Sequence, residues 1–378
     1  MTFDNAFKLF EKYSSNTVAG TNNNFILKGS FENKTSAIYY KVQKHGKSAY
    51  RFCFSNCVDS TYGDGTECQA NCLGGSWRIV SAFAGDGGAY GDPHMSEKLV
   101  PLSFSGSTKK EVLPGEIFWS DEAELEIPKN HYLCFEITFS GSEIPFTPDK
   151  IVPAFSLDEN GFKEDKEFPQ PIFVGIRVSK SKKVVFIGDS ITQGLGTTPD
   201  KYEFWAARLA ERLGENFSFW NLGLGCGHAY DAVTDGSWLK KAKTGDTVFV
   251  CFGVNDINMH RSVTNICNDT ARIVYLLKSA GCKVILLSVP PFDMVGEDKE
   301  KWYAVNDFLR NTVSKNADGF FDVSDIIGKP SPRRHMSLYG PHPDGNGGKA
   351  LGDALYAAVG KLLKAVVNIF SAFNVCKE

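Results

Sequence analysis

The chain has 378 residues, and at roughly 150 residues per domain it accommodates two domains with ample core for each. A formal charge of -3, from 41 basic and 44 acidic residues, argues against a protein built mainly to neutralise nucleic-acid phosphates, so no nucleic-acid partner is expected. With 42% hydrophobic and 22% charged residues the composition is neither disordered nor collagen-like.

Residues 1–13 form the one stretch of the first half with a helical pattern. They mix acids and lysines among apolar residues and lack the basic head, apolar stretch and small-residue cleavage site of a secretory signal, which predicts a cytoplasmic protein. Up to residue 178, short alternating runs are punctuated by Gly, Pro, Asn and Asp. In 132–139, for example, Leu133, Phe135, Ile137 and Phe139 share one face of a strand. Turn signals at Ser105-Gly106-Ser107, Pro114-Gly115 and Pro128-Lys129-Asn130 recur at the spacing of a sandwich or jelly roll. Residues 1–178 are therefore read as an antiparallel, jelly-roll-like β-sandwich whose last strand alternates through Ile172, Val174, Ile176 and Val178, followed by a linker at 179–182. The Gly-rich segment 84–94 and aromatic residues such as Trp77 and Trp119 read either as core or as a wall over a cleft.

Ten cysteines are too few for a disulfide scaffold and suit free thiols. Cys53, Cys57, Cys68 and Cys72 are spaced so that a hairpin centred between Tyr62 and Gly63 sets Cys53 opposite Cys72 and Cys57 opposite Cys68. Strand positions four apart lie about 13 Å from each other, too far to share one ion. Packed thiols are therefore preferred to disulfides and to zinc, and no metal is expected.

From residue 183 the texture changes. Strand-like runs at 184–187, 217–222, 247–252, 283–289 and 319–323 alternate with helical patterns at 204–213, 262–279, 299–314 and 348–367. Such alternation predicts a three-layer α/β/α domain over 183–378 with a parallel five-stranded sheet, and ligands beyond the carboxyl ends of its strands. No apolar run approaches the roughly 18 residues that span a bilayer, so no membrane partner is expected; the longest, 284–290, stops at two prolines.

Three of these strand ends and one later loop carry chemistry. The first strand runs into Gly188-Asp189-Ser190-Ile191-Thr192, a serine placed for attack on an acyl group, although Asp and Ser there also suit a helix cap. A base is needed, and of seven histidines His342, in the loop before the last helix, is best placed to reach the same sheet edge. Attack on an ester builds charge on the carbonyl oxygen, and fixed donors aimed there are commonly the largest catalytic contribution. Candidates are the backbone N–H groups of Asn221-Leu222-Gly223-Leu224-Gly225-Cys226-Gly227 and the side-chain amide in Gly253-Val254-Asn255-Asp256. Neither phosphate-binding glycine pattern is present, and no cofactor is expected.

In this order, GDSIT at 188, NLGLGCG at 221, GVND at 253 and HP at 342 resemble the four sequence blocks of the SGNH (GDSL-type) hydrolases. Outside them, Arg51-Phe52 with Ser55-Asn56, residues 102–106, Pro114-Gly115 with Ser120-Asp121, Pro290-Pro291-Phe292 and Val305-Asn306 resemble bacterial esterases that carry a β-sandwich ahead of that domain. The resemblance covers about residues 40–370. It implies Ser190 as nucleophile, His342 as general base and then acid, and an oxyanion hole from Asn255 and the backbone N–H groups of Ser190 and the Gly225-Cys226 turn.

Two positions depart from the family. Cys226 stands where it usually has glycine, and Tyr339 where it usually has the aspartate that orients the histidine. That orienting role passes to Asp322, Asp325 or Asp344, or, as preferred here, to a main-chain carbonyl behind a Ser190-His342 dyad.

The resemblance implies a serine esterase that forms an acyl-serine, with carbohydrate O-acetyl esters as the expected substrates. The expected partner is thus a small-molecule or oligosaccharide ester, and a homo-oligomer is compatible with it. Competing readings are a short-chain carboxylesterase or acyltransferase on another alcohol, and a catalytically silent carbohydrate-binding protein.

Overall fold

The computed structural model describes residues 6–60, 71–93, 98–177, 181–330 and 342–374. In the first half the alternating runs pair into two large antiparallel sheets, beside a separate antiparallel pair of Phe25–Leu27 with Ile144–Phe146. One orders Tyr13–Ser15, Phe173–Arg177, Gly46–Ser55 and Ile117–Trp119, with Ala123–Ile127 also along Gly46–Ser55. The other orders Gly161–Glu164, Ala154–Asp158, Phe31–Lys41, Tyr132–Gly141, Trp77–Asp86 and Lys98–Pro101, with Lys110–Val112 also along Trp77–Asp86. Leu133, Phe135, Ile137 and Phe139 are all buried. The Phe135 ring meets Phe52 and Phe54 of the opposite sheet at 5.2 and 5.6 Å, so the inner faces interdigitate as a sandwich.

Within 1–13, residues 6–7 and Leu9–Lys12 are helical as expected, whereas Tyr13 already belongs to the strand Tyr13–Ser15 that pairs with Phe173–Arg177, and residues 1–5 lie outside the described residues. The expected cysteine hairpin is the reading corrected here. Cys53 does not face Cys72: its strand is flanked on both sides, opposite Trp119 and Phe173, which leaves no edge for a cysteine hairpin. Cys57 instead bridges to Leu73. Cys53, Cys57 and Cys72 are free thiols, and Cys68 lies outside the described residues. Trp77 and Trp119 are buried, with indole N–H groups donating to Asn56 Oδ1 and the Ala6 carbonyl, so both belong to the core and not to a cleft wall.

The second half holds a parallel sheet in the spatial order Phe217–Gly223, Lys182–Gly188, Thr247–Cys251, Lys283–Leu287, Gly319–Phe321. Phe217–Gly223 and Thr247–Cys251 are buried at every position, as strands covered on both faces must be. The helices at Trp205–Leu213, Val263–Ser279, Gly296–Asn311 and Gly345–Asn374 supply that cover. Chain order reverses at Lys182–Gly188, so the carboxyl ends of this strand and of Thr247–Cys251 form the topological switch point at which ligands of open α/β sheets bind. Among the described residues no helix is long and apolar enough to cross a membrane, and no group of three His, Cys, Asp or Glu is placed to hold a metal.

The halves share one core. The Trp220 ring of the parallel sheet stacks on Phe10 at 4.8 Å and meets Phe173 edge-on at 4.7 Å. Residues 16–24 are buried throughout between the halves. Nearby, the fully buried Lys241 ammonium is neutralised by Asp59 and donates to Asn22 Oδ1 at 3.0 Å.

Candidate active site

Ser190 opens a one-turn helix, Ser190–Gln193, directly after the first parallel strand. Asp189 is extended there, and its Oδ1 accepts the Ile191 N–H at 2.9 Å as the cap, while Gly194 ends the turn at φ 116. The chain therefore bends sharply between strand and helix and leaves the Ser190 hydroxyl half-buried at the sheet edge.

His342 reaches that hydroxyl from a distance of 152 residues, with Nε2 2.9 Å from Ser190 Oγ. Its ring lies edge-on to Phe292, with centroids 5.2 Å apart and planes at 79°. Gly196 passes behind it at φ 90, and a Cβ there would come within 2.5 Å of His342 Cβ, so the close approach requires glycine. Burial lowers the His342 pKa below that of a free imidazole, which keeps the ring neutral and able to accept a proton.

None of the three proposed acids contacts the imidazole among the described residues. Asp344 Oδ1 accepts the N–H groups of Asn346 and Gly347, both at 2.9 Å, and so caps Gly345–Asn374. Asp322 accepts from the hydroxyls of Ser288 at 3.0 Å and Ser324 at 2.7 Å and pairs with Arg310. Asp325 donates its backbone N–H to the Asp322 carbonyl. The carbonyl expected to hold the second imidazole nitrogen is not found among the described residues, and Tyr339 lies outside them.

The donor side is assembled from two more strand ends. Residues 224–227 rest on the strand that leads to Ser190, with Leu224 N–H donating to the Gly188 carbonyl at 3.0 Å. Asn255 follows Thr247–Cys251 in the short helix Val254–Asn258. Its amide donates to the Gly227 carbonyl at 2.9 Å, which orients the group and leaves its second hydrogen for another acceptor. Gly225 is corrected as a donor: its N–H is held by Gln193 Oε1 at 2.6 Å, on the helix that Ser190 opens, and is already spent. Cys226 lies at φ 58, so the turn does adopt the left-handed conformation that favours glycine, and the cysteine bears the strain.

Sequence reasoning did not single out Gln193, Asn24 or Asp149, which surround this turn. Asn24 donates to the Gly225 carbonyl at 3.0 Å, and a Cβ on Gly225 would fall 2.2 Å from Asp149 Oδ2. No local pattern marks them, since each acts across the boundary between the halves.

Residues 186–350 match the family described as GDSL-like Lipase/Acylhydrolase. Similar solved structures include a carbohydrate acetylesterase from Sinorhizobium meliloti, 19% identical, covering 48% of this chain and 100% of that one with a TM-score of 0.40. They also include an aryl esterase of M. smegmatis, at 20%, 48%, 100% and 0.37. A third is an alpha/beta hydrolase enzyme from the metagenome of Lake Arreo, Spain, at 20%, 48%, 97% and 0.39. No curated protein matches.

Proposed function

We propose that this chain, whose residues 186–350 form a hydrolase domain of the GDSL-like lipase/acylhydrolase family, is a serine esterase that removes short acyl groups, acetyl above all, from carbohydrate hydroxyls. The reading is carried by the 2.9 Å approach of Ser190 Oγ and His342 Nε2 at the carboxyl edge of the parallel sheet. In the first step Ser190 Oγ attacks the ester carbon while His342 Nε2 takes its proton. Charge on the former carbonyl oxygen is met by the backbone N–H groups of Ser190 and Cys226 and the Asn255 amide. His342 then returns the proton to the departing alcohol, and water, deprotonated by the same imidazole, releases the acid from the acyl-serine.

Phe292 packs edge-on against the imidazole that reaches Ser190, an apolar wall beside the nucleophile that suits a small acyl group. The sugar part rests on the likeness of residues 102–106, Ser55-Asn56 and their companions to esterases with a preceding β-sandwich. It also draws on Tyr230, which follows the donor turn, lies 4.8 Å from the Arg261 guanidinium and is 53% exposed, an aromatic face available to a sugar ring.

Turnover of p-nitrophenyl acetate by the wild type, abolished in Ser190→Ala, is the expected result. Equal background in both proteins would favour a silent binding protein and overturn the esterase. Released acetate from acetylated xylan, mannan and chito-oligosaccharides then tests the substrate class: preference for one of these over the chromogenic ester is expected, and no release from any of them would remove the carbohydrate assignment.

A further inference from the structure

The peptide unit between Gly225 and Cys226 has two ends, and the proposed function uses only one of them. Its N–H is the Cys226 donor; its C=O belongs to Gly225. That carbonyl is gripped from the β-half. Asn24 Nδ2 donates to it at 3.0 Å, and the Ser60 hydroxyl donates more weakly at 3.5 Å. Asn24 and Ser60 are both completely buried. The Asn24 amide also hydrogen-bonds the Asp149 carboxylate, whose pKa is raised by burial and opposed by this bond. Both neighbours of that amide are acceptors, so its nitrogen must face them.

On the other side of Gly225, Gln193 Oε1 takes the N–H at 2.6 Å while its amide donates to the Asp149 carbonyl at 3.4 Å. Gln193 belongs to the helix that Ser190 opens. Residue 225 is thus clamped between the helix of the serine and buried side chains of the β-half, next to a cysteine held in the left-handed region.

We propose that Asn24 is a positioning residue for the reaction, supplied by the β-half, which fixes the plane of the 225–226 peptide so that its N–H points at the developing oxyanion. A trans peptide directs N–H and C=O oppositely, so anchoring the oxygen aims the hydrogen. Donation to the carbonyl also polarises the unit and strengthens the N–H as a donor, as in any chain of hydrogen bonds. The β-half is then part of the catalytic apparatus and not only a cover or a binding module. This inference rests on the esterase reading.

The test compares wild type, Asn24→Ala, Asn24→Asp and Ser190→Ala on p-nitrophenyl acetate, with active sites counted by a fluorophosphonate so that kcat refers to competent molecules only. Ethylboronic acid, which forms a tetrahedral adduct with the serine, is measured as an inhibitor alongside. Removal of a whole oxyanion donor costs about 100–1,000-fold, and a misaimed one should cost less. Asn24→Ala is expected to lose about 10–100-fold in kcat per titrated site with KM within about twofold, and to weaken boronate inhibition in proportion, the signature of an interaction made in the transition state. Asn24→Asp keeps the shape and removes the donor, so it should lose at least as much, and it serves if the alanine variant does not fold. Values of kcat per site within twofold of wild type in these variants would overturn the inference alone. Absence of Ser190-dependent turnover in the wild type would instead overturn the esterase reading, and the inference with it.

Discussion

Asp189 is fully buried, and only one of its carboxylate oxygens, Oδ1, is hydrogen-bonded; Oδ2 has no partner among the described residues. Burial pushes its pKa up to about 7, the Ile191 N–H opposes that, and among the nearby charges Asp256 raises it further while His228 lowers it. A carboxyl raised from about 4 in the unfolded chain contributes stability that is fully present below pH 4 and is lost as pH rises through 7. Asp189→Asn keeps a side chain that caps helices and removes this titration. Its stability advantage over wild type, measured by urea unfolding, should therefore grow between pH 4.5 and 8, by on the order of 3 kcal/mol.

His342 has the opposite sign. Its lowered pKa means that the neutral base persists into mildly acid solution, and kcat/KM should fall only below the ordinary imidazole range near about 6.5. The same acid limb should persist in Asp189→Asn, which separates the two titrations. Ser190 and His342 were readable in the sequence because each sits in a short block whose residue types are dictated by chemistry. That the Gly225 N–H is already taken was not, since Gln193 Oε1 reaches it by tertiary contact.

The turn at 224–227 shows how an element holds a residue it does not favour. Cys226 at φ 58 carries roughly 1–2 kcal/mol of strain that glycine would not. Cys226→Gly is thus expected to stabilise the protein by about 1 kcal/mol in thermal or urea unfolding with kcat within a few-fold, because the peptide remains anchored at the Gly225 carbonyl. Destabilisation would mean that the thiol is needed for packing.

All five parallel strands were legible to within two residues from their apolar runs. The fourth was read to 289 and ends at Leu287, just before Val289-Pro290-Pro291 turns inward to hold Trp302 and Asn306. Asp344 as a cap is equally local, an aspartate ahead of Gly345-Asn346-Gly347. The cysteine hairpin failed for the converse reason: spacing along the chain cannot reveal that Phe173–Arg177 and Ile117–Trp119 already flank Gly46–Ser55.

Across the whole molecule, the change of texture near residue 180 reads as a boundary, yet the core continues through it. Trp220 packs on Phe10 and Phe173 and donates to the Ile172 carbonyl at 3.0 Å. Lys241 and Asp59 form an ion pair fully buried between the halves. Removing one member of such a pair leaves an uncompensated buried charge and typically costs about 3–5 kcal/mol. Asp59→Asn should destabilise the protein by that order in urea unfolding, while replacing both members by apolar residues should cost much less. Residues 183–378 alone, stripped of Phe10, Phe173, Asn22 and Asn24, should fail to give a cooperative unfolding transition.

The claim on which the catalytic account turns is that Ser190 and His342 share a proton, and labelling with a p-nitrophenyl alkylphosphonate followed by peptide mass analysis tests it most directly. The account predicts one adduct per chain, on the peptide containing Ser190, formed at least about 1,000-fold more slowly in His342→Ala. An adduct on another residue, no adduct at all, or an unchanged rate in His342→Ala would contradict it.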